Sequence, residues 1–485
     1  MCQFHRQNTA ASANSEAFVS QEESPAAMSI RNLEEALQAA GSAVKLLRNS
    51  QIGPYAFPVV RAEFTNWRDE QRAWKESCAL FDQSHHMTDL YVEGPDAMRV
   101  FSDLGINTVK NFKVNQAKQF VACTPTGYVI GDAILFYLDE NKFNLVGRPP
   151  AHNWVQFQVE TGGYKAKAER DERSAVNQGR RRVYRYQIQG PNAVRVMEKA
   201  TGQPAPDIKF FYMGVFTIAG RTVRALRHGM VGQPGWELFG PWEDGEAVRD
   251  AIVQAGQEYG IRQVGARAYP TTCLESGWIP SPLPAIYTGD DLKPYRQWLS
   301  TKSYEAMASL GGSFYSENIA DYYLTPYDLG YGPFVKFDHD FIGRAALEKM
   351  AGSQRRKKVT LVWNGEDFAR VFGTLCRGGG ADIDKYIDLP LANYATLPYD
   401  KVVKGGKTIG ISTYTGYTYN ERAMISLGVL DQEHSEPGTQ VSVIWGEEGR
   451  GSTKPTVERH QQVEIRATVA AVPFAEVART AYRPH

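Results

Sequence analysis

The chain has 485 residues, 42% of them hydrophobic, so it is long enough to form two or three domains with buried cores. Lysine plus arginine and aspartate plus glutamate both number 54, and this balance excludes a strong net field for nucleic acid or an anionic membrane. We therefore expect a small-molecule partner, with no nucleic acid and no membrane.

The cysteines and the amino terminus predict a cytoplasmic protein. Five cysteines lie far apart along the chain, which is typical of a reducing compartment and not of a disulfide framework. Residues 1–28 are rich in Ser, Ala, Gln and Glu and lack the apolar centre of a signal peptide. They predict a disordered extension, with Met28 as an alternative start.

The first predicted element is one helix over residues 30–47, where apolar residues recur at helical spacing. An irregular loop follows at 51–58, because two prolines and a glycine interrupt regular structure there. This loop carries Tyr55 and Phe57, and constrained loops of this kind often line binding sites.

Two segments, 89–101 and 184–197, share one pattern: an alternating strand, a Gly-Pro turn, and an amphipathic helix. This repetition predicts an α+β body built from two related halves over 29–350, with an exposed, charged link near 165–182. Alternating or apolar runs between the two segments predict an antiparallel meander at 119–123, 128–138 and 143–146.

After residue 350 the helical pattern weakens, and short strand-like runs alternate with glycine-rich turns. This pattern predicts a small all-β C-terminal domain over 351–475, followed by a tail at 476–485. The predicted strands lie at 359–363, 410–414, 424–429, 440–445 and 463–469.

The stretch 264–282 concentrates polar and aromatic residues between a predicted helix at 247–260 and two prolines that end regular structure. Tyr269 and Trp278 either face a ligand or fill a core, and composition does not decide between the two. Arg148, at the end of the meander, either pairs with an acidic neighbour or holds a carboxylate ligand with two hydrogen bonds.

Several chemistries lack their sequence requirements. The chain has no G-x-G-x-x-G fingerprint for a dinucleotide, no complete P-loop and no G-x-S-x-G nucleophile elbow. His85 and His86 are adjacent, so strand alternation would point them apart, and the run DHD at 338–340 has no partner cluster. We therefore predict no metal site.

Five ordered motifs resemble the glycine-cleavage T-protein (aminomethyltransferase) family over about residues 30–475: LFDQSH at 80–85, GPDA at 94–97, RHGMVGQPGWE at 227–237, GAR at 265–267 and TPYDLG at 325–330. The resemblance implies a three-domain arrangement with tetrahydrofolate in a central opening. Within the family, three runs are similar to bacterial tetrahydrofolate-dependent aryl O-demethylases that act on vanillate, 3-O-methylgallate or syringate: LRNSQIG at 47–53, ESGWIPSPLPAIYTG at 275–289 and GPFVKFDHDFIGR at 332–344.

Two departures refine what the resemblance implies. The paired aspartates of the T-protein are replaced by Gly131 and Asp132, which removes one acid that glycine-cleavage chemistry uses. The vanillate-type enzymes carry Tyr where this chain has Phe57, and the lost hydroxyl leaves a drier, roomier wall. We therefore expect syringate, with two methoxy groups, as the favoured substrate, and vanillate or 3-O-methylgallate as the alternatives.

The resemblance also implies roles for individual residues in moving a methyl group from an aryl ether to N5 of tetrahydrofolate. Tyr269 is the expected donor to the departing phenolate oxygen, because a phenol stays protonated at neutral pH, and His86 is the second candidate. Arg148 would hold the benzoate carboxylate, Gln83 and Tyr55 would orient the ring oxygens, and Phe57 would form a wall.

For the folate, Glu237 matches the family carboxylate that accepts paired hydrogen bonds from the pterin, and Gln189 is a candidate for the pterin edge. Trp278, Phe210 and Val146 are the apolar candidates to sandwich it. The sequence lacks the Cys/His pairs and the dinucleotide fingerprint that oxidative demethylases need. A non-catalytic folate-binding protein remains the alternative, although relatives of that kind carry a cysteine motif where this chain reads FIGRAA at 341–346.

Overall fold

The structure is a computed structural model that describes residues 30–481 except 178–179, 281 and 379–381. The predicted extension 1–28 therefore lies outside the described residues. The described chain has the predicted α+β character, with two mixed halves followed by a closed barrel. Its α-helices are Leu33–Ala40, Ala43–Asn49, Trp67–Glu76, Ala97–Leu104, Pro149–Thr161, Ala193–Thr201, Gly245–Gly256, Thr272–Ser276, Lys293–Trp298, Tyr304–Met307, Arg344–Met350, Gly365–Leu375 and Glu476–Thr480.

The predicted single helix over 30–47 is wrong, because the chain forms two helices there, Leu33–Ala40 and Ala43–Asn49. Gly41 ends the first helix with a left-handed φ of 75°. Ser42 starts the second, since its side chain accepts a hydrogen bond from the Lys45 N–H. The apolar periodicity continues across the break because both helices bury residues in the same core.

The first half contains a five-stranded antiparallel sheet, and it includes the predicted meander. Its helices Ala97–Leu104 and Pro149–Thr161 contribute Phe101 and Trp154 to one apolar core on the outer face of the sheet. In spatial order the strands are Gln116–Cys123, Val129–Asp139, Lys142–Gly147, Thr88–Glu93 and Lys167–Asp171.

The second half contains a six-stranded sheet whose outer face packs against Ala193–Thr201 and Gly245–Gly256. The predicted duplication is visible in the turns that lead into the two related helices. Gly94 and Gly190 have φ values of 135° and 129°, and in each case an added Cβ would meet a backbone carbonyl oxygen within 2.7 Å. The strands, in spatial order, are Ile261–Val264, Cys78–Asp82, Val183–Gln189, Gly235–Pro241, Arg221–Arg227 and Met213–Ile218.

The inner faces of the two sheets point at each other. An apolar cluster joins them, with Phe136 and Val146 from the first sheet and Leu226 and Phe239 from the second. Beside this cluster the Arg185 guanidinium reaches across to Asp89 at 2.9 Å and lies between the rings of Phe136 and Phe239. The two halves are therefore held face to face, and the polar part of their seam is available for a site.

The link near 165–182 differs from the sequence interpretation. Lys167–Asp171 is an edge strand of the first sheet, and Arg181 is buried, with its guanidinium bonded to Asp89 at 2.8 Å and to Asp171 at 3.0 Å. The prediction of a solvated basic run is therefore wrong for Arg181. A buried guanidinium requires such acidic partners. Asp171 is ten residues from Arg181 in sequence, whereas Asp89 is 92 residues away.

The C-terminal domain is a closed six-stranded barrel, as the short strand-like runs indicated. The helix Gly365–Leu375 packs on it and was not predicted, and neither was the strand Asp400–Lys404. The predicted tail contains the helix Glu476–Thr480, whose Ala478 backbone lies against Gly232 of the second half. The barrel strands, in spatial order, are Arg356–Trp363, Ala423–Asp431, Lys407–Thr418, Asp400–Lys404, Gln440–Trp445 and Val463–Ala470.

No helix in the described ranges combines the length and the apolar character that a membrane crossing requires.

Candidate active site

Four of the predicted site residues form one aromatic group, although they come from three parts of the chain. The ring of Phe57, from the irregular loop, lies 4.6 Å from the ring of His86 and 5.1 Å from the ring of Tyr269. The His86 and Tyr269 rings are 4.9 Å apart. Tyr55 joins from the other side, with its ring 6.0 Å from Phe57 and its hydroxyl donating to the His86 carbonyl oxygen.

Tyr269 begins a 3-10 turn, Tyr269–Thr271, directly after the second-half strand Ile261–Val264. Its phenolic oxygen accepts a hydrogen bond of 3.1 Å from Nε2 of Gln83. Burial raises the pKa of Tyr269 well above its ordinary value. The side chain is therefore a protonated phenol over the whole physiological range, and its own proton is free to go to a third partner.

Gln83 lies at the end of the strand Cys78–Asp82 and is buried. Its Nε2 also lies 3.5 Å from the sulfur of Met230, whereas its Oε1 is buried with no hydrogen-bond partner in the structure. An unpaired buried acceptor costs free energy, so it marks a position where a ligand donor would stabilise the site.

His86 is also buried, and its Nδ1 has no hydrogen-bond partner in the structure. Burial, followed by the charge of Arg148, lowers the pKa of His86 well below its ordinary value. The imidazole is therefore neutral at pH 7. His85, its neighbour, points to Ser174 instead, with 2.9 Å between Nδ1 and the serine hydroxyl. The two histidines lie in a turn between strands, so strand alternation, from which the sequence argument started, does not apply to them.

Arg148 immediately precedes the helix Pro149–Thr161 and lies over the ring of Tyr55, with 4.3 Å between the guanidinium carbon and the ring centre. It lines a cavity with about 400 Å³ of empty space, including the part open to solvent. Tyr55 and Phe57 line the same cavity. Three predicted substrate residues thus share one chamber.

The C-terminal barrel supplies the opposite wall of this chamber, which the sequence did not predict. Since nothing in a barrel strand distinguishes a cavity residue from a core residue, only the fold could bring these side chains to the loop. The lining residues on this side are Leu391, Asn393, Ala395, Thr396 and Pro398, from the segment 391–398 before the barrel strand Asp400–Lys404, and Thr413 and Tyr414, from the barrel strand Lys407–Thr418.

A second, smaller cavity lies on the other side of Arg148 and is lined by Gly131 and Asp132. Oδ2 of Asp132 accepts hydrogen bonds from Tyr331 at 2.8 Å, from Gln119 at 2.9 Å and from Trp278 at 3.0 Å. Burial raises the pKa of this carboxyl. A Cβ added at Gly131 would lie 2.7 Å from the Ala151 nitrogen, so the second acid of the T-protein pair has no room here.

Trp278 is 37% exposed, and its indole N–H donates to both Asp132 and the Tyr331 hydroxyl at 3.0 Å. The ring is therefore fixed in orientation while one face remains open. A fixed, exposed indole is suited to stacking on a flat ligand.

Glu237, in the strand Gly235–Pro241, is buried, and its Oε1 accepts a hydrogen bond of 2.5 Å from Arg185. Burial raises the pKa of Glu237, and Arg185 opposes this effect. The guanidinium also bonds Asp89, so one arginine is shared by two carboxylates. Excess acid in a buried cluster favours a ligand that brings its own hydrogen-bond donors.

Gln189 is fully buried, and its Oε1 accepts from the Met230 N–H at 2.7 Å while its Nε2 has no partner in the structure. Gln187 was missed by the sequence reasoning, yet it lies directly opposite Glu237 in the sheet, and its Oε1 is buried without a partner. The signal was present in the strand sequence VYRYQIQ, because alternation places Arg185, Gln187 and Gln189 on one face.

Val146 and Phe210 lie around the edge of this polar face. Val146 belongs to the apolar cluster between the sheets, together with Phe239. Phe210 lies against Phe211, with 4.6 Å between the ring centres, and Phe211 packs on the same cluster. The inner face of the second sheet thus presents amide atoms and a carboxylate bordered by apolar side chains, which fits a pterin with polar edges and a flat ring.

No group of three or more His, Cys, Asp or Glu side chains is arranged to hold a metal ion within the described part of the chain.

The duplicated halves and the barrel define a protein of the aminomethyltransferase type, and the family model of the GCVT N-terminal domain matches residues 35–281. The chain belongs to this glycine-cleavage T-protein (GCVT) family. Syringate O-demethylase of Sphingobium sp. (strain NBRC 103272 / SYK-6) is 52% identical over 453 residues, which cover 93% of this chain and 98% of that protein.

Two further similarities extend over most of the chain. Sesamin methylene transferase of Sinomonas sp. (strain No.22) is 31% identical, covering 87% of this chain and 92% of its own length. The crystal structure of aminomethyltransferase T from Bartonella henselae superimposes with a TM-score of 0.58 at 17% identity, covering 89% of this chain and 92% of that one. This structural similarity confirms the predicted fold.

Proposed function

We propose that this protein is a cytoplasmic enzyme that transfers the O-methyl group of a methoxylated benzoate, with syringate favoured, to N5 of tetrahydrofolate. The products are 5-methyltetrahydrofolate and the free phenol, a step in the catabolism of lignin-derived aromatics. The similarity to syringate O-demethylase supports the substrate class. The observation that carries the proposal is a buried phenol, Tyr269, inside an aromatic group that adjoins the Arg148 cavity.

The demand on the protein comes from the leaving group. An aryl oxide leaves poorly unless its developing negative charge is stabilised, so a donor at the ether oxygen lowers the barrier. Tyr269 meets this demand as a hydrogen-bond donor, because burial keeps it protonated and Gln83 already bonds its oxygen. Tyr269 keeps its proton overall: the proton that N5 loses on methylation ends on the phenolate oxygen, which gives the free phenol. His86 is neutral and adjacent, which makes it the second candidate for the donor.

The remaining cavity residues fit the aromatic acid. Arg148 provides a guanidinium for the carboxylate, and a charge-assisted pair of this kind fixes both position and orientation. The unpaired Oε1 of Gln83 can accept a hydrogen bond from a ring hydroxyl, Tyr55 is placed to orient the ring oxygens, and Phe57 forms the wall. Because Phe57 has no hydroxyl, this wall accepts a second methoxy group without leaving a polar atom unpaired.

Tetrahydrofolate supplies the N5 amine that receives the methyl group. Glu237 and the unpaired amide atoms of Gln187 and Gln189 are suited to its polar pterin edge. Trp278, Phe210 and Val146 are the apolar residues suited to its ring faces. Glu237, Gln187 and Gln189 are buried on the inner face of the second sheet, so their hydrogen bonds to the pterin would form away from bulk water.

The test is incubation of the purified protein with tetrahydrofolate and, separately, syringate, vanillate or 3-O-methylgallate. We expect stoichiometric 5-methyltetrahydrofolate and free phenol, with the highest kcat/KM for syringate. A higher value for vanillate or 3-O-methylgallate would transfer the proposal to that substrate. Tight folate binding without product from any of the three would instead identify a non-catalytic folate-binding protein.

A further inference from the structure

Tyr414 has an unusual backbone conformation for a bulky residue. It lies in the barrel strand Lys407–Thr418 and has a φ of 46°, in the left-handed region that glycine normally occupies. The pairing of this strand with Ala423–Asp431 shifts register between Thr413 and Thr415, so Tyr414 is the extra residue of a β-bulge. Strained residues and bulges concentrate at functional sites, because they aim a side chain in a direction that regular structure does not allow.

The side chain of Tyr414 is aimed at the turn that carries Tyr269. It is 5% exposed, and its hydroxyl donates a hydrogen bond of 2.8 Å to the carbonyl oxygen of Pro270. Pro270 is the second residue of the turn Tyr269–Thr271, so the bond acts on the peptide unit next to the proposed phenol donor. Both Tyr414 and Pro270 line the Arg148 cavity.

The bulge is itself held from outside. The Ala392 N–H donates to the carbonyl oxygen of Thr415 at 2.8 Å, and the Tyr417 N–H donates to that of Pro390 at 2.7 Å. Gly416 has no room for a side chain, because a Cβ there would lie 2.5 Å from the Pro390 oxygen. A continuous set of hydrogen bonds and close contacts therefore runs from the segment 390–392, through the bulge at Tyr414, to the turn that carries Tyr269.

We infer that Tyr414 is a positioning residue for Tyr269. Through Tyr414, the C-terminal barrel contributes to the active site. The inference rests on the proposed function. Tyr269 must aim its O–H at the ether oxygen within a few tenths of an ångström, and a turn that starts after a strand and ends at a five-residue helix does not secure this alone. The Tyr414 hydroxyl fixes the turn from the opposite wall of the cavity.

The test compares Tyr414→Phe with the wild type at saturating syringate and tetrahydrofolate. Loss of the hydroxyl lets the turn shift while the ring still fills its space, so kcat should fall about tenfold, as is usual when a supporting hydrogen bond is lost. The KM values for both substrates should stay within about twofold of the wild type, because the atoms that bind them are unchanged.

Tyr399→Phe is the matched control. Tyr399 is another buried tyrosine of the same region, and its hydroxyl accepts a 2.9 Å hydrogen bond from the Leu283 N–H, but it does not line the cavity. Its variant should lose thermal stability to a degree similar to Tyr414→Phe and keep the wild-type kcat. If Tyr414→Phe does not fold, Tyr414→Asn takes its place, because asparagine tolerates the left-handed φ of this position, and it should be at least as slow.

A double-mutant cycle with Tyr269→Phe separates positioning from a general loss of structure. Because Tyr414 acts through the Tyr269 phenol, Tyr414→Phe should lower the residual turnover of Tyr269→Phe by less than about twofold. An equal effect in both backgrounds, or a wild-type kcat in Tyr414→Phe, would overturn the inference. If the wild type itself forms no 5-methyltetrahydrofolate, the proposed function fails, and that result is distinct from either of these.

Discussion

The amide of Gln83 donates a hydrogen bond to the phenolic oxygen of Tyr269 over 3.1 Å, and it joins the end of one second-half strand to the turn that follows another. The direction of this bond matters. Because the phenol accepts from Gln83, its own O–H points elsewhere, and in the proposed reaction that direction is the ether oxygen of the substrate.

Tyr269→Phe removes the proposed donor and almost nothing else. We expect kcat to fall by about 100-fold or more, the usual contribution of a positioned acid, while folate and arene Kd values change by less than about threefold. Single-turnover kinetics and equilibrium titration of each ligand check the two parts separately. A wild-type kcat in this variant would exclude the donor role and favour His86.

Gln83→Leu tests the orientation of the phenol. The variant keeps the size of the side chain but loses the donor to Tyr269, so the phenol can rotate, and we expect kcat to fall about tenfold. The effect should disappear in the Tyr269→Phe background, which a four-variant comparison of kcat measures. The contact of Oε1 with the substrate should appear separately, as a higher KM for syringate in both backgrounds. Equal losses of kcat in both backgrounds would show that Gln83 does not act through Tyr269.

Arg148→Gln tests recognition of the carboxylate. Losing charge-assisted hydrogen bonds of about 1.5–3 kcal/mol should raise the KM for syringate by about tenfold to 100-fold. Turnover of 2,6-dimethoxyphenol, which has no carboxylate, should be much less affected. Arg344→Gln is the control, because Arg344 pairs with Asp340 and Glu348 outside the two cavities and its loss should leave both KM values unchanged. An equal rise for both substrates would place the carboxylate elsewhere.

Gly131→Ala tests the close packing that excludes a second acid beside Asp132. Its Cβ would lie 2.7 Å from the Ala151 nitrogen and 3.1 Å from the Pro150 Cβ. We expect the free energy of unfolding to fall by about 1–3 kcal/mol from overpacking.

Gly373→Ala is the control with the opposite expected sign. Gly373 lies in the helix Gly365–Leu375, and an added Cβ there would have nothing within 4 Å, so the variant should raise the free energy of unfolding by about 0.5–1 kcal/mol. Urea unfolding of the two variants measures both signs, and a stabilised Gly131→Ala would contradict the packing argument.

The buried histidines predict how stability depends on pH. Burial lowers the pKa of His152 to about 4 and lowers the pKa of His86 well below its ordinary value. The unfolded chain takes up these protons near pH 6.5 and the folded protein does not, so the stabilisation is complete above pH 6.5 and is lost as the pH falls toward 4. Each histidine contributes a slope of up to about 1.4 kcal/mol per pH unit in that window.

Urea unfolding at pH 7, 6 and 5 measures this slope. His152→Gln should reduce the slope of the unfolding free energy against pH by the contribution of one histidine, since glutamine does not titrate. A free energy of unfolding that stays constant between pH 7 and 5 would contradict the low pKa values.

The elements that the sequence located correctly are those whose signal is a local pattern. The alternation around Tyr184 predicted a strand, and the repeated Gly-Pro turns predicted related halves, because period and turn chemistry are local properties. The helix break at Gly41 was also local, but the apolar periodicity on both sides concealed it.

The missed residues depend on contacts between distant segments. Arg181 looked like a solvated charge because Asp89 and Asp171 are brought to it only by the folded sheet. Tyr414 looked like an ordinary strand residue, since neither the bulge nor the Pro270 carbonyl can be read from its neighbours in sequence. Gln187 is the exception, because its alternation with Gln189 was visible and only the second member of the pair was selected.

The arginine shared by Asp89 and Glu237 connects the residue proposed to bind the pterin with the contact between the two sheets. Replacing Glu237 alone would leave the buried Arg185 guanidinium, which lies between two phenyl rings, with Asp89 as its remaining carboxylate partner among these two. Any redesign of this scaffold for a different pterin would therefore have to replace Glu237 and Arg185 together. A substitution at only one of them would also weaken the contact between the two sheets.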